Sequence, residues 1–334
     1  MLKRFVSIVT HLVILLDVVY GVCDLANKAK LKIEVKAWLN DSNTNPCGSD
    51  IGSWDISQIG SLREVFQEMP TFNGDISRWD VSRITSLYST FQGAHSFNCN
   101  LSSWDTSRVT TLERTFDQAW QFEGTGLENW NIDKVTMMRS TFRKVSANFN
   151  PNLSNWNTSK VTDFLNLFRE NLSFNADISN WNVQSVTTIK SMFYQAISFN
   201  RDLSKWDTSN VINTVEAFFG AVGFNGDIST WSVSGVTKMN YMFKDAQSFN
   251  GNLVQWDTSS NVGFYETFFG ATQFQGIGLE SWNTASVTSA YSVFQGATAL
   301  NVDLSFWNVR SVLHRINLSL SLVVQETYSN DNCI

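Results

Sequence analysis

Apolar and polar positions follow one long period through most of the chain: Trp54, Trp79, Trp104, Trp130, Trp156, Trp181, Trp206, Trp231, Trp256, Trp282 and Trp307 stand 25 or 26 residues apart. A fixed period of that length predicts a stacked-repeat solenoid, in which each coil buries its apolar face against its neighbours. Counted from each Trp, position +5 is Val or Ile as a rule, +8 is mostly Leu, Met or Ile, and +18 is usually Phe. Position +12 is Phe in ten successive coils, from Phe66 to Phe294. A column held to one residue type within a single sequence is a packing demand.

Two shorter periods divide each coil. Val109, Leu112, Phe116 and Ala119 recur at helical spacing and predict a short helix with one apolar face. Ser57, Ser82, Ser107, Ser159 and Ser209 precede such stretches as N-caps, and Gly93, Gly220, Gly270 and Gly296 fall near their ends. The other half changes period: Ile76-x-x-Trp79-x-Val81-x-x-Ile84 has the apolar spacing of a leucine-rich-repeat strand. Such a strand would point Trp79 and Val81 inward and Arg78 and Asp80 outward. The expected fold class is an α/β repeat solenoid, a leucine-rich-repeat-like right-handed coil with one short strand and one short helix per 25–26 residues. A lone coil buries too little to offset its chain entropy, so neighbours and protected ends are required.

The boundaries follow from the period. Residues 49–312 form the repeat, 23–48 an N-terminal cap, and 313–334 a C-terminal cap or tail. In residues 1–22 a basic Lys3-Arg4 precedes an apolar run, which reads as a secretory signal peptide interrupted by Asp17. A signal anchor or a buried N-terminal helix is the alternative, and Cys23 faintly resembles a lipidation site. A Cys23–Cys47 disulfide would staple the cap of a secreted chain. The 26-residue spacings before Trp130 and Trp282 carry nearly the same text, Phe122-Glu-Gly-Thr-Gly-Leu127 and Phe274-Gln-Gly-Ile-Gly-Leu279, which lengthens one turn.

The pattern W-[DN]-[TV]-S-x-V-T-x-[LM]-x-x-x-F-x-x-A-x-x-F-N-x-[DN]-[IL]-S-x-W, nearly complete from Trp231 to Leu253, resembles the repeat of the BspA-like leucine-rich-repeat surface proteins over about residues 50–312. The resemblance implies a secreted or surface-attached protein that binds or adheres without catalysis. The sequence departs from many bacterial members in showing no convincing lipobox and no wall-sorting tail, so the resemblance does not extend to the mode of surface attachment.

Chemistry adds little beyond this. A net charge of −6 without a basic stripe argues against nucleic acid. No CxxC or Cys/His pair suggests zinc, and the scattered His11, His95 and His314 suggest no catalytic group. No cofactor, metal or enzymatic activity is expected. The Asp/Asn column directly after Trp reads as turn chemistry rather than a calcium ladder, because many members are neutral Asn. Threonines at +6, such as Thr85, Thr110 and Thr136, read as helix-start residues more than as an ice-binding lattice. Sequons at Asn40, Asn100, Asn152, Asn157, Asn171 and Asn317 are glycosylation acceptors or chance products of an Asn/Ser/Thr-rich text.

The expected recognition face is the outward pair flanking each Trp: Arg78/Asp80, Ser103/Asp105, Lys205/Asp207 and Gln255/Asp257. The expected partner is an extracellular protein or a surface glycan, with the membrane involved only through an uncleaved signal or anchor. A passive wall or matrix protein and an ice-binding solenoid are the alternatives.

Overall fold

The computed structural model describes Cys23 and residues 25–308. The expected signal segment, the 313–334 tail, His11, His314, Cys333 and the Asn317 sequon lie outside the described residues. Within them the repeat forms a solenoid whose coils are built almost wholly of turns. The helix expected in each coil is absent among the described residues. Repeat-region helix is confined to single short turns at Ile51–Ser53, Leu127–Asn129 and Leu279–Ser281.

A chain of tight turns produces the helical spacing instead. In the second coil, amide-to-carbonyl bonds close Ile76–Trp79 at 3.1 Å, Val81–Ile84 at 2.8 Å, Leu87–Thr90 at 3.1 Å, Phe91–Ala94 at 3.0 Å and Ala94–Phe97 at 3.1 Å. Each turn advances the apolar face by three residues, which imitates a helix in the sequence. Propagation is blocked at two points per coil where φ is positive, for example Ser89 at 49° and Gly93 at 69°, Arg114 at 55° and Gln118 at 61°. The chain reverses there, so Gly93 and its equivalents close turns rather than helices.

The expected Trp strand is likewise a turn, and the inter-coil ladder runs through the other half. Leu87, Ser89, Phe91 and Gly93 donate to the carbonyls of Thr111, Glu113, Thr115 and Asp117 in the next coil, at 2.8–3.2 Å. Isolated parallel bridges, Ser86 to Thr111 and Thr111 to Met137 among them, mark the same line. The +6 threonines belong to this line and start no helix. Both the amide and the hydroxyl of Thr110 bond to the carbonyl of Thr85, at 2.9 and 3.0 Å. Buried threonines at +2 point the other way, Thr106 donating to Asn131 at 2.9 Å and Thr158 to Asn182 at 2.8 Å.

The core is three aromatic columns. Successive +12 rings stack with centroids 5.5 Å apart at Phe91–Phe116 and 5.6 Å at Phe218–Phe243. Within a coil the +12 and +18 rings lie face to face, 3.9 Å apart at Phe91–Phe97. Trp206 and Trp231 are parallel to within 1° at 6.0 Å. Offset stacks of this kind add roughly 0.5–1.5 kcal/mol per pair to their burial. The indole nitrogen remains polar, and it is satisfied along the axis: Trp79 donates to Ile51 at 2.8 Å, Trp104 to Ile76 at 3.1 Å and Trp206 to Ile178 at 3.1 Å, each in the coil before. Two indoles are exceptions: Trp54, in the first coil, and Trp282 have their nitrogens buried without a partner. A side-chain ladder completes the stack: the backbone amides of Asn98, Asn200, Asn225 and Asn250 each donate to the side-chain oxygen of the Asn one coil earlier, at 2.8–3.0 Å.

The N-terminal cap is an amphipathic helix, α1 (Lys28–Asn40), capped by the Asn27 side chain. Leu31 and Val35 are fully buried, and Trp38 meets the edge of Phe72 at 6.2 Å, closing the open end of the ring columns. Cys23 and Cys47 are joined as expected, which ties both ends of the cap together. No helix among the described residues is long and apolar enough to cross a membrane.

Candidate binding surfaces

The residues expected to form the recognition face are all exposed, and the buried Trp between each pair holds them in two adjacent columns. Their polar groups are largely committed within the chain. Arg78 pairs with Asp50 at 2.5 Å, Lys205 donates to Asn180 at 3.0 Å, and the Ser103 hydroxyl bonds to the carbonyl of Ser77. Asp80, Asp105, Asp207 and Asp257 accept the amide of the Ser two residues on, at 3.0–3.1 Å. Bonds from the hydroxyl and amide of that Ser hold these carboxyls below the usual carboxylate range. Arg78 and Ser103 share one shallow groove of about 650 Å³, and Lys205 and Asp207 share another of about 350 Å³. Gln255 has no place in either groove.

A different face carries the groups that sequence reasoning missed. Positions +9, +10 and +13 flank the inter-coil ladder, outside the Phe column. Over the coils that begin at Trp181 and end past Trp282 they become aromatic. Tyr194 stacks on Phe219 at 4.5 Å, and Tyr241, Tyr265 and Tyr291 follow one another at 5.1 and 5.3 Å. The Lys244 ammonium sits 4.6 Å from the Phe269 ring and 5.6 Å from that of Phe219, and pairs with Glu266. Arg169 lies over Tyr194 at 3.7 Å, with Glu170 at 3.2 Å. Most of these rings are half-buried, and Tyr291 is 38% exposed. Toward the N-terminus the same columns hold one ring, Tyr88 beneath Arg63 at 4.0 Å, and then ion pairs. Arg139 meets Asp163 at 2.7 Å, and Arg143 grips the buried Asp117 through two bonds, at 2.7 and 3.1 Å. Burial pushes the Asp117 carboxyl upward, against the pull of Arg143. The signal in the sequence was the run of Tyr and Phe at +9, +10 and +13 in consecutive coils, where most other coils carry polar or charged residues; at helical spacing those positions would also share one face.

The remaining chemistry is structural. Among the described residues no group of three or more His, Cys, Asp or Glu is placed to hold a metal ion. Cys99 is buried beside Asp75, and burial pushes its thiol up to about 11, so it is not a thiolate at neutral pH. Of the sequons, Asn171 is fully buried and donates to Phe142 at 3.3 Å, whereas Asn100, Asn152 and Asn157 sit on exposed turns.

Comparison with known proteins agrees with the repeat. The family described as "Mycoplasma protein of unknown function, DUF285" matches residues 36–142, 111–229 and 213–319. No curated protein matches the chain. Among solved structures it is similar to one titled "Crystal structure of TLR13-ssRNA13 complex", at 12% identity and a TM-score of 0.27, over 66% of this chain and 35% of that one. The chain thus spans about a third of the length of that neighbour.

Proposed function

The chain belongs to the DUF285 family of repeat proteins, and from that premise we propose that it is a non-catalytic binding scaffold working outside the cell, attached to or released from its surface. One observation carries the reading: in five consecutive coils the ladder face presents aromatic rings and a caged lysine, where the other described coils offer mostly polar or paired side chains and a lone ring, Tyr88, beneath Arg63 at 4.0 Å. Aromatic groups set among charges on a rigid surface are the composition of protein-binding hot spots. Several such coils in register favour avidity over single strong contacts. The polar columns flanking the tryptophans are the second contact face, weaker because their charges are already paired.

The Cys23–Cys47 disulfide supports an oxidising compartment, and the resemblance of the repeat text to that of BspA-like surface proteins supports a surface location. The aspartates of the turn columns hold backbone amides, which leaves them unsuited to acid–base work.

The test is saturable binding of the full chain to labelled cell-surface proteins, compared with two variants. Tyr241→Ser with Tyr265→Ser should lower binding at least about tenfold, a loss of about 1.4 kcal/mol, without changing the melting temperature by more than a few degrees. Arg78→Glu with Lys205→Glu should have the smaller effect. A passive matrix protein would show no saturable partner, and an ice-binding solenoid would show thermal hysteresis; either result refutes the scaffold reading. Sequencing the mature N-terminus from the cell surface tests the location.

A further inference from the structure

One column on the outer surface runs almost unbroken and is apolar over several coils. Its members are the residues at +16: Pro70, His95, Trp120, then Leu172, Ile197 and Val222. Trp120, Leu172, Ile197 and Val222 are exposed by 50, 44, 43 and 37%. The coil between Trp120 and Leu172 breaks the column. It is a third coil of 26 residues, from Trp130 to Trp156, and its extra residue precedes the last turn, so Phe149 closes that turn on Ser146 where Phe97 closes on Ala94. The register shift brings Ala147 into the column. Ser173 bonds to the carbonyl of Ala147, as the amide of Ser96 bonds to that of Pro70 and the amide of Gln121 to that of His95.

Ala147 is too small to fill its layer. The result is a notch of about 290 Å³ with Ala147 in the gap, between Trp120 on one side and Leu172 on the other. His95 covers the far face of the Trp120 indole, parallel to within 4° at 3.7 Å, so the face that remains free looks into the notch. Glu170, Gln195 and Lys144, which belong to the neighbouring +14 column, stand along its edge, with Lys144 and Glu170 paired to each other at 2.8 Å.

We propose that this notch is a binding site for one pyranose ring of a surface glycan, lodged between the Trp120 indole and Leu172 as the missing layer of the column. A sugar whose ring substituents are all equatorial is apolar on both faces and polar around its rim. That distribution matches apolar walls on either side with a carboxylate, an amide and an ammonium at the edge. An inserted apolar side chain would satisfy the walls and leave the polar edge unused. The gluco configuration is therefore preferred. The galacto and manno epimers each carry an axial hydroxyl that would face a wall, desolvated and unpaired. The inference deepens the scaffold reading by naming a ligand class, but it rests on a different face.

The test is saturation-transfer NMR on the full chain with cellotriose as probe and mannotriose as its epimer control. Wild type should receive transfer to cellotriose in preference to mannotriose. Trp120→Ala should weaken binding about tenfold or more, and Ala147→Phe, which fills the layer, should abolish it. Both residues lie on the surface, and melting curves of the two variants confirm folding. Absence of transfer to cellotriose, equal transfer in both folded variants, or preferential binding of N-acetylphenylalanine amide overturns the proposal. Cell-surface binding that survives Trp120→Ala but fails in the Tyr241/Tyr265 variant leaves the scaffold reading standing, so the two can fail separately.

Discussion

At Gly126 and Gly278 the backbone has φ of 95° and 97°, and a Cβ on either would lie 2.2 Å from the backbone nitrogen of Ser102 or Val254 in the coil before. Neither strain nor contact can relax without parting two coils, so Gly126→Ala should cost at least about 3 kcal/mol in chemical denaturation. Gly60→Ala meets nothing within 4 Å and should stay within about 0.5 kcal/mol of wild type. The turn aspartates give a second test at this scale. Asp80, Asp105 and Asp207 titrate below their unfolded value of about 3.9, so the folded state binds fewer protons than the unfolded chain in that interval. Their stabilisation is complete above that value and is lost as pH falls through the folded pKa. Asp117 and Asp245, raised by burial, work in the opposite sense. Changing all three turn aspartates to Asn should leave neutral-pH stability within about 0.5 kcal/mol and flatten the acid limb of the stability curve. Asn131 already accepts the same amide bond, from Asp133 at 2.9 Å. That substitution logic was readable in the sequence, where Asp and Asn alternate in one column.

At the scale of the element, the cap and the turns follow different rules. α1 is an ordinary capped helix held by a 24-residue disulfide loop, so Cys47→Ser should lower stability by about 3 kcal/mol through the entropy returned to the unfolded chain. Hydrogen exchange should then quicken first at Leu62–Phe72, where Trp38 covers the rings, and an unchanged first coil would show that the helix docks without its staple. The turns explain which features the sequence disclosed and which it hid. Burial of Trp79, Phe91 and Phe97 follows from period alone, because a column repeated in every coil must face its copies. Helix and turn chain cannot be told apart by period, since both place apolar groups three or four residues apart. The difference lies in φ at +10 and +14, and residues such as Ser89, Arg114 and Glu170 occupy the left-handed region without being glycine. The inter-coil bonds over-determine that conformation, a tertiary effect that no local preference reveals. The +16 notch was hidden for a related reason: Ala147 joins its column only through a one-residue shift, whose trace in the sequence is Phe149 standing one place late.

Across the whole molecule, stability is a sum over neighbouring coils, and position in the array sets the effect of a given loss. Phe193 stacks on Phe168 at 6.0 Å, Phe199 at 3.9 Å and Phe218 at 5.3 Å, touching a coil on each side. Phe294 has Phe268 behind it at 5.7 Å and Trp307 ahead at 5.6 Å, near the last described coil. Both truncations remove the same ring, at an expected cost of about 3–5 kcal/mol for a filled interior. Their consequences differ because an interior gap weakens two interfaces that hold long segments together. Phe193→Ala should divide unfolding into two steps, with exchange quickened on both sides of the gap, whereas Phe294→Ala should release only the C-terminal coils and keep a single main transition. If both variants unfold in one step with the same midpoint, the coils are coupled too tightly for a nearest-neighbour description. A binding surface on such an array would then open and close as one unit, and avidity from independent coils would lose its physical basis.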